Sequence, residues 1–115
     1  MLVRVKDGAI LSHGQSQVFD FPRKSGMKQG FVICFEKEFF AYLNECQHWP
    51  VPLDMGDADF FHPGLERITC KTHGAVYHPK TGYCEYGPCS RSQLTSYQVT
   101  QEGQDLLVLI PEKVE

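Results

Sequence analysis

The stretch that decides how this chain folds is CQHWPVPLDMGDADFFHPGLERITCKTHG, residues 46–74. It begins with a C-x-H motif at Cys46 and His48 and ends with a C-x-x-H-G motif at Cys70 and His73. Structural zinc sites commonly take two cysteines from one knuckle and two histidines from another, at spacings unlike these. Two mixed motifs allow two facing loops to place both sulfurs on one metal atom and both ring nitrogens on a second.

Between the motifs lies a spacer of 21 residues, Trp49 to Thr69. Three prolines and two glycines interrupt any regular pattern over residues 47–66, and a long irregular stretch inside a compact domain is usually functional. The spacer is acidic, and its Phe60-Phe61 pair is predicted to anchor it to the body of the domain. Contact of this pair with a partner protein is the alternative.

The rest of the chain consists of short runs in which polar and apolar residues alternate. Helical spacing never persists for more than about two turns, so the pattern predicts an all-β domain. The predicted strands are Leu2 to Val5, Gln17 to Phe21, Gly30 to Phe35, Glu38 to Leu43, Arg67 to Thr69, Ala75 to Tyr77, Ser96 to Thr100 and Asp105 to Ile110. Turn signals separate them, among them Pro22 to Gly26 and Pro79 to Gly82.

Length and composition predict one globular domain over residues 1–115, with 42% hydrophobic and 22% charged positions. A domain of this size buries roughly 65% of the surface that its unfolded chain exposes, so a core can form without a web of disulfides. The formal net charge is -3, and no dense cluster of Lys and Arg occurs. Nucleic acid and anionic membranes are therefore poor candidate partners.

Five cysteines are an odd number and too sparse for a disulfide scaffold. The N-terminus lacks the basic start and long apolar stretch of a secretory signal, and no run of eighteen apolar residues follows. These features predict a cytoplasmic, reducing location. Cysteines there are more often metal ligands or catalytic groups than structural bridges.

At its two motifs the sequence resembles the Rieske [2Fe-2S] ferredoxin family, whose pattern is C-x-H, a spacer, then C-x-x-H-G. The resemblance covers most of the chain. Residues Gly30 to Leu43 are similar to the hairpin before the first ligand loop, Gly87-Pro88 to the loop that covers the cluster, and Leu106 to Ile110 to the closing strand. The spacer is several residues longer than in most members. The resemblance implies the Rieske fold: three small antiparallel sheets, with two loops forming the cluster-binding tip.

The resemblance implies one [2Fe-2S] cluster as cofactor, held by Cys46, His48, Cys70 and His73. The two cysteines would hold the buried iron, and the two histidines would bind the outer iron near the protein surface. No catalytic residue is implied. Zinc in the same four positions is one alternative, and unrelated buried cysteines with surface histidines are another.

Neighbouring positions bear on the redox potential. Respiratory members of the family have a disulfide between the ligand loops, and a serine and a tyrosine that donate to sulfur. The disulfide positions resemble Val51 and Thr72 here, the serine position resembles Ala75, and only Tyr77 remains. Because hydrogen bonds to the cluster sulfurs raise the potential, we predict a midpoint in the lower half of the Rieske range of about -150 to +300 mV.

The implied function is one-electron transfer by a free-standing ferredoxin, from a flavin-containing reductase to a terminal oxidoreductase such as a ring-hydroxylating oxygenase. The chain is too short to add the large catalytic domain of oxygenase subunits, which favours an electron-transfer component over an enzyme acting alone. Two alternatives remain. One is an accessory subunit of a larger reductase, similar to the nitrite reductase small subunit. The other is a zinc-stabilised or redox-sensing interaction module.

Three cysteines lie outside the two motifs. Cys34 is in the middle of a predicted strand, where a cysteine behaves as a small hydrophobe, so we expect it in the core. Cys84 and Cys89 bracket Gly87-Pro88. Two packed thiols are the favoured interpretation of this pair, and a redox-sensitive disulfide or a role in tuning the cluster remains open.

Three histidines also lie outside the motifs: His13, His62 and His78. A mononuclear iron site would need two histidines and a carboxylate that converge, and nothing in their spacing suggests convergence. We expect all three on the surface or in turns. Trp49, beside His48, is predicted to shield the cluster, with a docking contact as the alternative.

Overall fold

The computed structural model describes residues 1–24, 26–46, 51–72, 74–87 and 92–111. The strands found there are β1 Leu2–Val5, β2 Ser16–Arg23, β3 Gly26–Phe35, β4 Glu38–Leu43, β5 Phe61–His62, β6 Arg67–Thr69, β7 Val76–Tyr77, β8 Cys84–Tyr86, β9 Ser96–Glu102 and β10 Asp105–Leu109. A single 3-10 turn, Gly8–Ile10, accompanies them in these ranges. The all-β prediction is confirmed. None of the described segments forms a helix that could cross a membrane.

Every strand pairing is antiparallel. Six strands pair in the order β1-β10-β9-β4-β3-β2, and four in the order β5-β6-β7-β8. Strand β9 joins two parts of the larger set, because its first two residues pair with β4 and the remainder pair with β10. The six strands thus form two smaller sheets that share β9. Together with the four-stranded sheet they make the three antiparallel sheets that were expected.

Strand β3 separates two hydrophobic cores. Its residues from Gly30 to Phe35 are all buried, and side chains alternate between the two faces of a strand. The loop-side core lies toward the four-stranded sheet and contains Phe31, Ile33, Phe35, Tyr42, Cys46, Leu53, Phe60, Phe61, Ile68, Cys70, Ala75, Tyr77, Cys84 and Leu94. The sheet-side core lies on the opposite face and contains Val5, Phe19, Phe21, Val32, Ala41, Leu106, Val108 and Ile110.

The hairpin between β2 and β3 is longer than predicted. Pro22 pairs with Met27 and Arg23 pairs with Gly26, so the predicted turn from Pro22 to Gly26 was too wide. Strand β2 lies at the edge of its sheet, and proline is tolerated there because its missing N–H need not serve a second neighbouring strand. The proline therefore does not end the strand.

Strands β5 and β8 were not predicted. Each has only two or three residues, which is too short for an alternating pattern to stand out. Strand β5 pairs with β6, and β8 pairs with β7. They form because β6 and β7 place backbone N–H and C=O groups beside them. These pairings arise only in the tertiary structure.

The packing predictions for Cys34 and for the phenylalanine pair are confirmed. Cys34 is buried, and this burial raises the pKa of its thiol, so it packs as a protonated hydrophobe. The Phe60 ring stacks on Phe31 with 3.9 Å between centroids. Phe61 packs so closely on Gly14 that a Cβ there would lie 2.8 Å from its ring. The spacer is anchored to the body through these rings.

Candidate metal centre

The two cysteines of the motifs lie in one core. Cys46 follows strand β4 and Cys70 follows strand β6, so they reach this core from different sheets. Only 2% of the Cys46 surface and 1% of the Cys70 surface are exposed. Both belong to the loop-side core. The fold therefore brings together two thiols that are 24 positions apart in the sequence.

Each cysteine begins a loop that closes in the same way. The backbone N–H of Cys46 donates to the carbonyl of Val51 at 2.8 Å, and that of Cys70 donates to the carbonyl of Ala75 at 2.9 Å. In both loops the acceptor is five residues after the donor. In the second loop, the N–H of Gly74 also donates to the Cys70 carbonyl at 2.8 Å. The same backbone hydrogen bond, from a cysteine N–H to the carbonyl five residues later, thus closes both motifs.

A tyrosine hydroxyl lies beside the first cysteine. The Oη atom of Tyr77 is 3.6 Å from Sγ of Cys46, a hydrogen-bonding distance for sulfur, and Tyr77 is fully buried on β7. The pairing of β7 with β6 places Tyr77 opposite Ile68, two residues before Cys70. The donor that the sequence predicted near the sulfur ligands is therefore positioned by the four-stranded sheet.

The backbone of Gly87 packs against the second loop. A Cβ on Gly87 would lie 2.8 Å from Cα of Ala75, and the φ angle of Gly87 is +106°. Both the close approach and this backbone conformation favour glycine. The residue that precedes Pro88 therefore lies against the second loop. Pro88 lies outside the described residues, so the covering of a cluster by this loop stays a prediction.

The predicted imidazole ligands, His48 and His73, lie outside the described residues, as do Trp49 and Cys89. The four-residue ligand set therefore stays a prediction. In the parts of the chain that the structure describes, His, Cys, Asp and Glu side chains form no group of three or more that could hold a metal ion.

The other three histidines take structural roles in turns. The Nδ1 atoms of His13, His62 and His78 accept backbone N–H groups from Glu36, Leu65 and Lys80, respectively, at 3.0 to 3.2 Å. The bonds of His62 and His78 close turns within three residues, whereas that of His13 holds the turn after β3. The prediction that these histidines lie at the surface or in turns is confirmed.

Cys84 is buried in the loop-side core, with 1% of its surface exposed. Its thiol donates to the carbonyl of Tyr86 at 3.4 Å. This is the behaviour of a packed thiol, as favoured from the sequence. The role of the pair with Cys89 stays open.

Two buried polar side chains were missed by sequence reasoning. Asn44 is 4% exposed and Asp54 is 5% exposed, and Nδ2 of Asn44 donates to Oδ1 of Asp54 at 3.0 Å. Asn44 precedes the first motif by two positions, and Asp54 lies in the spacer. A single asparagine and a single aspartate are common in loops, so neither carried a signal that distinguished it.

The acidic part of the spacer lies next to the second loop. Lys71 pairs with Asp57 and lies 3.7 Å from Asp59. The Lys71 ammonium holds the pKa of the Asp57 carboxyl below its usual value, chiefly through their hydrogen bond. Because these groups are exposed, the ion pair contributes little to stability. It does tie the surface of the spacer to the residue that follows Cys70.

Comparison with known proteins identifies a family for this arrangement. The family model of the Rieske [2Fe-2S] domain matches residues 5–108. Curated proteins give no match to the chain.

Solved structures with the same architecture include two free ferredoxins. The ferredoxin of carbazole 1,9a-dioxygenase from Nocardioides aromaticivorans IC177 is 28% identical, with a TM-score of 0.71 over 93% of this chain and 95% of that protein. A ferredoxin from Sphingomonas yanoikuyae B1 is 25% identical, with a TM-score of 0.72 over 95% of this chain and 98% of that protein. The fold is thus that of whole ferredoxins.

Proposed function

This chain belongs to the Rieske [2Fe-2S] domain family, and we propose that it carries single electrons from a reductase to a terminal oxygenase. The observation that carries the proposal is the pair of matched loops, each of which delivers a buried cysteine to one core. When bound, a [2Fe-2S] cluster supplies reversible storage of one electron.

The described residues fit such a cluster. Its inner iron needs two thiolate ligands, and a thiolate buried in an apolar core needs hydrogen-bond donors to compensate its charge. Cys46 and Cys70 supply two buried sulfurs from separate loops. The hydroxyl of Tyr77 lies within hydrogen-bonding distance of the Cys46 sulfur. The donor set therefore agrees with the cofactor of the family.

We propose that Cys46 and Cys70 hold the inner iron and that His48 and His73 hold the outer iron. Each histidine follows its cysteine by two or three positions, so each tight loop would contribute one ligand to each iron. Imidazole ligands on one side carry no charge, which raises the potential above that of an all-cysteine cluster. The electron would enter and leave at the histidine side.

The partners follow from the relatives. One similar structure is the ferredoxin of a dioxygenase, and this chain matches nearly the whole of it. A separate ferredoxin must collect its electron from one protein and deliver it to another. We therefore assign a flavin-containing reductase as donor and a ring-hydroxylating type of oxygenase as acceptor. A cytoplasmic location belongs to the same proposal, because thiolate ligands are favoured in a reducing compartment.

Anaerobic purification tests this function. The protein should be red-brown, contain about two iron and two sulfide per chain, and give a rhombic electron paramagnetic resonance signal on reduction. Titration with dithionite should consume one electron per chain. A colourless protein that contains one zinc per chain would refute the proposal and favour the interaction module.

Replacing a histidine ligand tests the ligand set. His48→Cys adds an anionic ligand, so any cluster that survives should have a potential lower by more than about 100 mV, toward the value of about -400 mV for all-cysteine plant-type ferredoxins. His62→Cys, at a histidine that accepts a turn N–H, is the matched control and should leave the potential unchanged. Equal potentials in the two variants would remove His48 from the ligand set.

A further inference from the structure

One short segment of the spacer contacts both cysteine-bearing loops. The carbonyl of Val51 accepts the N–H of Cys46 at 2.8 Å, and the carbonyl of Leu53 accepts the N–H of Lys71 at 2.9 Å. We call Val51–Leu53 the bridge segment. Lys71 directly follows Cys70, so the bridge segment links the backbones beside the two cysteines.

Asn44 holds the bridge segment from the opposite side. Its Oδ1 atom accepts the N–H of Leu53 at 2.8 Å, so Leu53 is fixed through both of its backbone polar groups. Its Nδ2 atom donates to Oε1 of Gln29 at 2.7 Å and to Oδ1 of Asp54 at 3.0 Å. The backbone N–H of Asn44 donates to the Gln29 carbonyl at 2.8 Å. The amide is therefore oriented by β3, and its nitrogen donates to two acceptors.

Asp54 completes the network. Its second oxygen, Oδ2, accepts the N–H of Ala58 at 2.8 Å. The carbonyl of Ala58 accepts the hydroxyl of Ser16 at 2.9 Å, which ties the network to β2. Asn44 and Asp54 are both at least nine-tenths buried. Removing either partner would leave buried polar groups without a hydrogen bond, which is costly in a low-dielectric core.

We infer that Asn44, paired with Asp54, is a positioning residue that sets the separation of the two cysteine-bearing loops through the bridge segment. This inference rests on the proposed function, because a fixed separation matters only when both loops hold one cluster. The network reaches β2, β3 and both loops, so it transmits the rigidity of the sheet to the ligands. If Asn44 contributed only to general stability, its replacement would lower the melting temperature without speeding exchange in residues 68–75.

The test uses the metal-loaded protein and starts with the iron and sulfide content of the wild type. A wild type without a [2Fe-2S] cluster would refute the proposed function. The inference itself is tested by amide hydrogen exchange, which mass spectrometry monitors in peptides that span residues 44–54 and 68–75. Exchange reports the opening of backbone hydrogen bonds, so it does not depend on electron transfer.

Asn44→Ala should speed exchange about tenfold in both peptides, because Leu53 and Asp54 lose their partner and the bond to Lys71 loosens. Loss of iron to a chelator should accelerate by a similar factor. Tyr42→Phe is the matched control: Tyr42 is buried on β4, two positions before Asn44, but its hydroxyl donates to Pro79. The control should lower the melting temperature and leave exchange in residues 68–75 unchanged.

A charge-conserving exchange of the pair sharpens the test. Asn44→Asp alone places two carboxylates together and should open both peptides. In the double variant N44D/D54N, the amide now at position 54 can donate to the carboxylate now at position 44, while Gln29 rotates its own amide to donate as well. The formal net charge equals that of the wild type, and exchange should return toward the wild-type rate.

The inference is overturned if the exchange rate of residues 68–75 is the same in Asn44→Ala as in Tyr42→Phe. It is also overturned if exchange in N44D/D54N is as fast as in N44D. If Asn44→Ala does not fold, exchange in the Asp54→Asn variant is the deciding measurement. This milder variant keeps one acceptor, and unchanged exchange in residues 68–75 would overturn the inference.

Discussion

The two cores on either face of β3 are built from different chemistry. The eight buried residues of the sheet-side core are all aliphatic residues or phenylalanines. The loop-side core contains three cysteines and two tyrosines among its buried residues. Asn44 and Asp54 are also buried, and Asn44 lies two positions before Cys46 in the sequence. One strand thus separates a hydrocarbon core from a core rich in sulfur and hydroxyl groups.

The two cores are enclosed by different kinds of structural element. The sheet-side core is enclosed by strands of four to ten residues in regular register, so apolar burial suffices to form it. The loop-side core is closed by strands of two or three residues and by the spacer. We therefore expect the stability of the loop-side core to depend on side-chain hydrogen bonds and on the proposed metal. The stability of the sheet-side core should depend on neither.

The largest expected effect is the loss of the cluster in Cys46→Ala. Removing one of the two proposed thiolate ligands should reduce the bound iron from about two per chain to near zero and abolish the visible absorption. Cys34→Ala is the matched control, because Cys34 is equally buried on β3 but outside both motifs. It should retain its iron and lose only modest stability. Iron loss in both variants would break the distinction between the two faces.

Truncating one phenylalanine in each core should give similar losses of stability with different effects on the cluster. Phe60→Ala and Phe21→Ala each remove a fully buried ring, so each should lower the free energy of unfolding by about 3–5 kcal/mol. Only Phe60→Ala, which breaks the stack with Phe31, should also speed cluster loss. Anaerobic denaturant unfolding and chelator kinetics measure the two effects. Equal cluster loss would mean that the cores are coupled.

A smaller effect is expected at Tyr77. Tyr77→Phe removes the hydroxyl near the Cys46 sulfur. If this bond favours the reduced state by the usual net value of a hydrogen bond, the midpoint potential should fall by about 20–60 mV. Protein-film voltammetry at neutral pH measures it, with Tyr42→Phe as the control. The wild type should itself lie in the lower half of the Rieske range, and a midpoint above about +200 mV would contradict that prediction.

The smallest effect concerns the exposed ion pair of the spacer. Lys71 lowers the pKa of Asp57 below its ordinary value of 3.8, so the folded state favours the ionised carboxyl. This stabilisation is present above the unfolded pKa and is lost as the pH falls below about 4. Asp57→Asn should therefore melt slightly lower than the wild type at pH 7 and equally at low pH. A difference that persists at pH 3 would refute the ion pair as its cause.

Prediction from the sequence succeeded where regular alternation or a motif extended over several residues. The bounds of β1, β4 and β6 agree with those predicted, because an apolar residue at every second position is a local property. The burial of Cys46 and Cys70 in one core agrees with the motif pattern. These features depend on residue type and spacing alone.

Prediction failed where a feature depended on a partner distant in the sequence. Strand β8 exists because β7 lies beside it. The sharing of β9 between two sheets depends on its contacts with β4 and β10. Asn44 and Asp54 look like ordinary loop residues until folding buries them against each other.

The sequence by itself determined the strand-rich class, the apolar faces and the types of ligand atoms that the two loops can offer, because these follow from the local order of residues. Only the tertiary structure decided which backbone groups hold those loops together. Hydrogen bonds such as those of Val51 and Leu53 to the two loops form between segments that the sequence separates. Their geometry arises when the sheets pack, and no local pattern encodes it.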